Sequence, residues 1–167
     1  MRIRLLTAAF AAALAFPAGT ALARTPVPFD TDQWAGTIVI RHKERALYLV
    51  QRGGMALRYP VALGKPGKSW LGSATIRGKY VSPAWSPPAE VLRDKPYLPK
   101  VIAGGSPKNP MGPRAILLSR SEIAIHGTNR PKSIGAYASY GCIRMRNDDV
   151  IDLFERVSVG GKVVVVP

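Results

Sequence analysis

The chain has 167 residues, of which 24 are lysine or arginine and 10 are aspartate or glutamate, so its formal net charge is +14. This positive excess suggests an anionic partner, such as a nucleic acid, a membrane surface or an acidic polymer, and a solvated basic surface without a specific partner is the alternative. The single cysteine excludes an intramolecular disulfide, so that thiol is a buried apolar side chain, an intermolecular bridge or a reactive group.

The first 23 residues have the three parts of a secretory signal peptide. Arg2 and Arg4 precede an apolar run of about a dozen residues, and Ala21-Leu22-Ala23 forms a small-x-small cleavage site. The run is shorter than the roughly 20 apolar residues that span a bilayer, so an uncleaved anchor is the weaker alternative. We expect residues 1–23 to be removed on export to the periplasm, which leaves no stable membrane span. Export also argues against nucleic acid as the partner.

Residues 24–35 are predicted as an N-terminal linker and residues 36–167 as one domain, long enough to bury its own core. Apolar, β-branched and aromatic stretches between turn signals predict strands in GTIVIRHK, RALYLVQ, MALRYPVALG and SATIRGKYV. Residues 82–114 are rich in proline, glycine and asparagine, which predicts a long ordered loop with a short helix near Ala89 to Arg93. Two more strands are predicted in RAILLS and EIAIHG, and a buried last strand in KVVVV.

One longer helix is predicted before the last strand. Asn147 is a typical N-cap residue, and two aspartates follow in the first turn, where the helix dipole favours acids. An apolar face at helical spacing is formed by Val150, Leu153, Phe154 and Val157. Gly160 and Gly161 are expected to end this helix. The elements together predict a mainly β domain, a β-sandwich or partly open barrel with one packed helix towards the C-terminus.

His126 and Cys142 are the candidate catalytic pair. His126 ends a predicted strand, and Cys142 follows a stretch rich in glycine and serine that can fold back as a loop. A cysteine attacks as the thiolate, and with a pKa of about 8.5 only a few per cent of a free thiol is ionised at neutral pH. A neighbouring histidine can remove that proton. The pair alone is weak evidence, because a lone histidine is more often a satisfied structural group.

Acyl transfer also needs hydrogen-bond donors for the developing oxyanion. Gly141 lets a substrate carbonyl approach the backbone closely, so the N–H groups of Gly141 and Cys142 are candidate donors. The Gly127 carbonyl is a candidate partner that orients His126, a role that a carboxylate has in other catalytic triads.

The residues around this pair form a larger pattern: His126-Gly127, then Ser133-Ile134-Gly135, then Ser139-Tyr140-Gly141-Cys142-Ile143-Arg144. This pattern resembles the signature of the L,D-transpeptidase catalytic domain family (YkuD type). The resemblance extends upstream through PAWSPP and GGSPKNPMGPRAILLS and covers about residues 36–167. There are two departures. Tyr140 stands where many members have histidine, which alters local hydrogen bonding, and SWLGSATI stands where members often have Thr-Pro-x-Gly.

The resemblance implies the fold and an activity on peptidoglycan outside the cytoplasmic membrane. The cysteine of the family attacks the third-residue carbonyl of a stem peptide, releases the terminal D-alanine and forms an acyl-enzyme. The acyl group then passes to an amine, either of a second stem peptide or of a lysine in an anchored lipoprotein. Water as the acceptor would make the enzyme a hydrolase, and a catalytically silent wall-binding module is a further alternative.

When the roles of the family's residues are transferred to the matching positions of this sequence, the resemblance implies that Cys142 is the nucleophile. His126 is then the general base and afterwards the general acid. Gly127 holds the histidine, and Gly141 with Cys142 supplies the oxyanion donors. Arg144 is expected to position the carboxylates of the donor stem; a surface arginine paired with Asp148 or Asp149 is the alternative.

The remaining candidates have smaller expected roles. Ser139 and Tyr140 belong to the substrate-binding loop, and Ser139 is expected to shape that loop with its hydroxyl group. His42 is predicted to be exposed and non-catalytic. No cofactor is expected, and no metal either, because the spacing of His42, His126 and Cys142 fits no zinc pattern.

Overall fold

The computed structural model describes residues 25–167, so the predicted signal peptide lies outside the described residues. The strands are β1 (Thr25–Pro28), β2 (Ile38–Arg41), β3 (Ala46–Val50), β4 (Met55–Pro60), β5 (Leu63–Gly64), β6 (Gly72–Val81), β7 (Arg114–Leu118), β8 (Ala124–His126), β9 (Tyr137–Ser139), β10 (Ile143–Arg144) and β11 (Lys162–Val166). The helices are α1 (Ala89–Asp94) and α2 (Asn147–Arg156), with a 3-10 turn at Pro131–Ser133. The predicted mainly β class is confirmed. Among these helices, none is long and apolar enough to cross a membrane.

Nine strands form one open sheet in the order β1-β4-β3-β2-β11-β6-β7-β8-β10. Strand β6 joins its two parts, because Gly72 to Thr75 pair with β11 and Ile76 to Val81 pair with β7. The register shifts between Ile76 and Gly78, and an irregularity of this kind bends a strand and increases its twist. The sheet is open and does not close into a barrel. Strands β5 and β9 form a separate parallel pair.

Strand β2 shows why the strands in the middle of the sheet are apolar throughout. Ile38 and Ile40 enter the main core, which also contains the α2 side chains Val150 and Leu153. Val39 lies between them in sequence and therefore points to the opposite face, where a smaller core contains Phe29, Tyr48 and Val50. Both faces of this part of the sheet are covered, so its strands read as continuous apolar runs.

The structure corrects the prediction of a linker over residues 24–35. Strand β1 pairs antiparallel with β4, with Thr25 opposite Arg58. Phe29 is buried and stacks on the ring of Tyr48, with 4.4 Å between the ring centroids. The sequence TPVP did not predict a strand because proline cannot donate to a ladder; it is tolerated here because β1 is an edge strand.

Helix α2 has the predicted apolar face, but both of its ends differ from the prediction. Asn147 lies within the helix, and Arg146 occupies the N-cap position without a side-chain capping bond. Asp148 and Asp149 are in the first turn, as expected. The helix ends at Arg156, which is before the glycine pair that was predicted to stop it.

The predicted loop after β6 is ordered around one buried side chain. Asn109 is 2% exposed, and its Nδ2 donates to the carbonyl oxygens of Pro83, Ile102 and Ala103 at 2.9 to 3.3 Å. Its Oδ1 accepts from the Met111 N–H at 2.8 Å. These four bonds connect both ends of the loop, which also contains the predicted short helix as α1.

Candidate active site

Two adjacent parallel strands bring Cys142, His126 and Arg144 to one face. Arg144 of β10 lies beside His126 of β8, and Ile143 lies beside Ile125. Both isoleucines are buried in the core. Because side chains alternate along a strand, the residues on either side of them point to the opposite face. Cys142 directly precedes β10 and therefore shares the face of Arg144 and His126.

The His126 ring is buried, and its neighbour in sequence sets its orientation. Its Nδ1 lies 2.7 Å from the carbonyl oxygen of Gly127, the contact expected from the sequence. A carbonyl oxygen only accepts hydrogen bonds, so in the neutral ring Nδ1 carries the proton and Nε2 keeps its lone pair. The geometry therefore leaves Nε2 as the nitrogen that can act as a base.

The environment of His126 favours the neutral imidazole. Burial lowers the pKa of His126 from 6.5 to about 4, and the positive charge of Arg144 acts in the same direction. The backbone carbonyls of Gly127 and Pro110 oppose this shift but do not cancel it. At neutral pH the ring is therefore uncharged.

The Cys142 thiol is also held in its neutral form. Its Sγ donates to the Glu122 carbonyl oxygen at 3.4 Å. Burial raises the pKa of the Cys142 thiol above its usual range, while the Ala124 backbone and the charge of Arg144 act against that rise. Both pKa shifts favour the neutral forms, a thiol on Cys142 and an uncharged imidazole on His126.

Glu122 is a site residue that the sequence did not indicate. Its φ is +58°, in the left-handed region that residues other than glycine rarely adopt. This conformation belongs to the turn before β8, and the Glu122 carbonyl oxygen is the acceptor for the Cys142 thiol. No local pattern marks such a residue, because the thiol it contacts is distant in sequence.

The turn after His126 is packed so closely that it requires glycine. A Cβ on Gly127 would lie 2.6 Å from Asn147 Oδ1 and 2.9 Å from Pro113 Cδ. The same Asn147 Oδ1 accepts the Thr128 N–H at 2.8 Å. The side chain that was predicted to cap α2 therefore fastens the turn that carries the Gly127 carbonyl.

The Ser139 hydroxyl bonds to the backbone on both sides of the loop before Cys142, and this changes one expectation. Its Oγ donates to the Cys142 carbonyl oxygen at 2.6 Å and accepts the Gly141 N–H at 3.2 Å. Gly141 was expected to offer that N–H to an oxyanion, but the Ser139 hydroxyl already accepts it. Trp70 Nε1 donates to the Gly141 carbonyl oxygen at 3.2 Å, so both backbone polar groups of Gly141 are hydrogen-bonded.

Two polar contacts tie α1 to the loops beside Cys142. The Tyr140 hydroxyl donates to the Asp94 carboxylate at the end of α1. Lys68 Nζ donates to the Glu90 carboxylate at its beginning. These two contacts hold α1 over the site. The contact with Asp94 is made by Tyr140, the residue that stands where many family members have histidine.

Arg144 is half-buried and turned towards the site. Its Nη1 donates to Ser133 Oγ at 3.0 Å, and its Nε is buried without a hydrogen-bond partner. The hydrogen bond of the guanidinium therefore goes to Ser133, not to the acidic first turn of α2 that was the alternative partner.

A cavity of about 270 Å³, which we call the catalytic cleft, contains these groups. Its floor includes Cys142, His126 and Arg144, and the α1 loop supplies Trp85 and Val91 on the opposite side. A larger, more open depression of about 670 Å³ beside Arg52 and Arg156 contains no cysteine or histidine. The functional cavity is therefore identified by the chemistry of its lining residues and not by its volume.

His42, which was predicted to be non-catalytic, lies outside the cleft. His42 Nε2 is 2.7 Å from Ser69 Oγ, but Ser69 donates its own proton to the Gly64 carbonyl oxygen at 2.9 Å. His42 is therefore the donor in this contact, and Ser69 is not an activated nucleophile. Within residues 25–167 no group of three or more His, Cys, Asp or Glu side chains is arranged to hold a metal ion.

Comparison with known proteins identifies a family for this arrangement. Residues 35–165 match the model of the L,D-transpeptidase catalytic domain family. The chain is 38% identical over 136 residues to "Probable L,D-transpeptidase YbiS" of Escherichia coli (strain K12), an alignment that covers 75% of this chain and 43% of that protein. It is 32% identical over 150 residues to the protein YqjB of Bacillus subtilis (strain 168), covering 86% of this chain and 76% of that protein. The chain thus spans less than half the length of YbiS.

The fold is shared with solved structures at lower sequence identity. An L,D-transpeptidase from Mycobacterium smegmatis matches with a TM-score of 0.62 at 19% identity, over 78% of this chain and 58% of that chain. This likeness shows the shared fold.

Proposed function

The chain belongs to the L,D-transpeptidase catalytic domain family, and on that premise we propose that it is an exported cysteine acyltransferase of the peptidoglycan. Its donor is a stem tetrapeptide, and its leaving group is the terminal D-alanine. The observation that carries the proposal is the placement of Cys142, His126 and Arg144 on one face of β8 and β10, at the floor of one cleft.

Acylation begins from the neutral pair. The Nε2 lone pair of His126 takes the Cys142 thiol proton as Sγ attacks the third-residue carbonyl carbon, so the thiolate forms only during attack. The C=O double bond becomes a single bond to an oxyanion. We assign the Cys142 N–H as a donor to that oxyanion, because Ser139 already accepts the Gly141 N–H.

Collapse of the tetrahedral intermediate breaks the amide bond to D-alanine. The imidazolium of His126 gives its proton to the departing amine, so D-alanine leaves neutral at its nitrogen and His126 returns to the neutral form. The low pKa of His126 assists this step, because a buried imidazolium readily releases its proton. The product is a thioester between Cys142 and the tripeptide stem.

Deacylation uses the same groups in reverse. A neutral acceptor amine attacks the thioester carbonyl, His126 removes a proton from that amine, and the proton then returns to the Cys142 sulfur as the C–S bond breaks. An acceptor on a second stem gives a cross-link, and a lysine of an anchored lipoprotein gives attachment. Water in the same position gives hydrolysis.

Intact-mass spectrometry tests the proposal. The mature protein and its Cys142→Ala variant are incubated with a disaccharide-tetrapeptide. We expect a covalent adduct that lacks D-alanine on the wild-type protein and none on the variant. Cross-linked dimers in the same tube identify a transferase, and free tripeptide identifies a hydrolase. A folded wild-type protein that forms neither adduct nor product would overturn the proposed function.

A further inference from the structure

A second cavity of about 200 Å³ adjoins the catalytic cleft and is lined by four positively charged side chains. We call it the cationic pocket and define it by Lys95, Lys108, Arg130 and Arg144. Arg144 lines both cavities, so the pocket continues directly from the floor beside Cys142. No aspartate or glutamate lines the pocket within the part of the chain that the structure describes.

Within residues 25–167, none of the four positively charged side chains of the pocket forms an ion pair. The charge of Arg130 lowers the pKa of Arg144, in addition to the larger effect of burial, so the two guanidinium groups repel each other. Arg144 Nε is buried and has no acceptor. Like charges that share a partly buried site repel each other. A bound anion would relieve that repulsion and would also accept a hydrogen bond from the unpaired Nε–H of Arg144.

The catalytic cleft contrasts with this pocket. Glu90 and Glu122 both line the cleft, together with His126. A substrate that lies across both cavities therefore meets acidic side chains near Cys142, whereas beyond Arg144 the charged side chains are all cations. This polarity matches a peptide whose reacting carbonyl lies near Cys142 and whose free carboxylate lies on the other side of Arg144.

We propose that the cationic pocket is a carboxylate subsite that makes the enzyme select stem peptides with a free carboxylate over stems in which that group is a carboxamide. The inference rests on the proposed function, since it names the substrate class of the same site. A carboxamide has no charge, and it offers N–H groups to four cationic side chains that can only donate hydrogen bonds. The preference for the carboxylate therefore has two causes. A carboxamide loses the charge attraction to the pocket, and it leaves N–H donors of the pocket without an acceptor.

Binding to the Cys142→Ala protein tests the inference without turnover. Calorimetric titration compares a disaccharide-tetrapeptide with free carboxylates against the same compound with one carboxylate amidated. We expect the free acid to bind about tenfold more tightly or better, as for loss of one charge-assisted hydrogen bond. Replacement of Arg130→Gln or Lys108→Gln in that background should reduce the ratio to less than about threefold.

Lys132→Gln is the matched control, because it removes one exposed positive charge near Arg130 from a residue outside the pocket lining. It should keep the full ratio. Thermal melting of each variant confirms that it is folded. Equal affinity for the two compounds, or an equal loss of the ratio in Lys132→Gln, would overturn the subsite.

Two further measurements separate a carboxylate subsite from a phosphate site, and a failed subsite from a failed proposed function. Inorganic phosphate and acetate are added as competitors, and competition by phosphate alone would assign the pocket to a phosphate group and overturn the carboxylate assignment. Adduct formation by the wild-type protein is measured in parallel. An adduct without discrimination between the two stems refutes only the subsite, whereas absence of both binding and adduct refutes the proposed function itself.

Discussion

Asn147 Oδ1, in the first turn of α2, accepts a hydrogen bond of 2.8 Å from the backbone N–H of Thr128. Thr128 is two residues after His126, and the peptide between them carries the Gly127 carbonyl that holds the imidazole. A side chain on a helix thereby fixes the orientation of the proposed base without touching it.

Asn147→Ala should slow acylation while the protein stays folded. The Thr128 N–H loses its acceptor, and the Gly127 carbonyl is then free to rotate away from His126 Nδ1. We expect kcat to fall about tenfold or more with KM little changed, because the substrate contacts remain. Asn147→Asp keeps an oxygen acceptor and should recover most of the rate. Equal losses in the two variants would contradict this positioning role.

Alkylation of Cys142 should report a neutral resting pair. A thiol with a raised pKa reacts with iodoacetamide at a rate that keeps rising through pH 9, because the thiolate fraction is still growing. The measurement is the alkylation rate by intact mass between pH 5 and pH 10 in the wild type and in His126→Gln. A rate plateau in the wild type at neutral pH, absent in the variant, would instead reveal a thiolate–imidazolium pair.

The buried His126 should make the wild-type protein sensitive to acid. The pKa of His126 is about 4 when folded and 6.5 in the unfolded chain, so between these pH values only the unfolded chain binds the proton. The free energy of unfolding therefore decreases as the pH falls from 6.5 to 4, by at most about 3 kcal/mol. Urea denaturation at pH 7 and pH 4.5 measures this difference.

His126→Gln is the control for that acid sensitivity, because every other titrating group is retained. The variant should lose less stability than the wild type over the same pH change, whatever its stability at pH 7. Parallel pH dependence in the two proteins would show that His126 does not hold the depressed pKa.

Removal of the buried Asn109 side chain should loosen the loop that carries α1. Asn109→Ala leaves the Pro83 carbonyl oxygen and the Met111 N–H without their partner, while the other two carbonyl oxygens each keep one backbone donor. Unsatisfied buried groups of this kind cost about 1 to 3 kcal/mol. Limited proteolysis should then cut within the loop while the rest stays resistant. Ser106→Ala, at a partly exposed position of the same loop, should leave the cleavage pattern unchanged.

Tyr140→Phe should release one end of α1. The variant lacks the hydroxyl that contacts Asp94, while the contact between Lys68 and Glu90 remains. Both contacts are largely exposed, so we expect only a few-fold faster amide exchange across α1. Tyr80→Phe, on β6, is the control and should exchange like the wild type. No change in exchange for Tyr140→Phe would mean that the hydroxyl does not restrain α1.

The sequence predicted those features that depend on local patterns. The strands around β2 and β3 follow from apolar runs, and α2 follows from the spacing of Val150, Leu153 and Phe154. The pairing of His126 with the Gly127 carbonyl was also predictable, because the two residues are adjacent.

The features that escaped prediction depend on contacts between distant residues. Asn147 satisfies the local rule for an N-cap, but the Thr128 N–H competes for its oxygen. Gly141 looks like an oxyanion donor until the Ser139 hydroxyl is placed beside it. Asn109 and Glu122 have no sequence signal, since their partners are gathered only by the folded chain. Strand β1 likewise depends on pairing with β4 and not on its own propensity.

Strand β1 also gives the sheet a protected border. Pro26 and Pro28 are two residues apart, so they face the same side of the strand, and neither has an N–H to donate. Because β4 bonds to the other side, the prolines lie along the outer rim. A flat, unblocked rim is a template for self-association into fibrils. This rim lacks the donors that such growth requires, which favours a protein that stays dispersed.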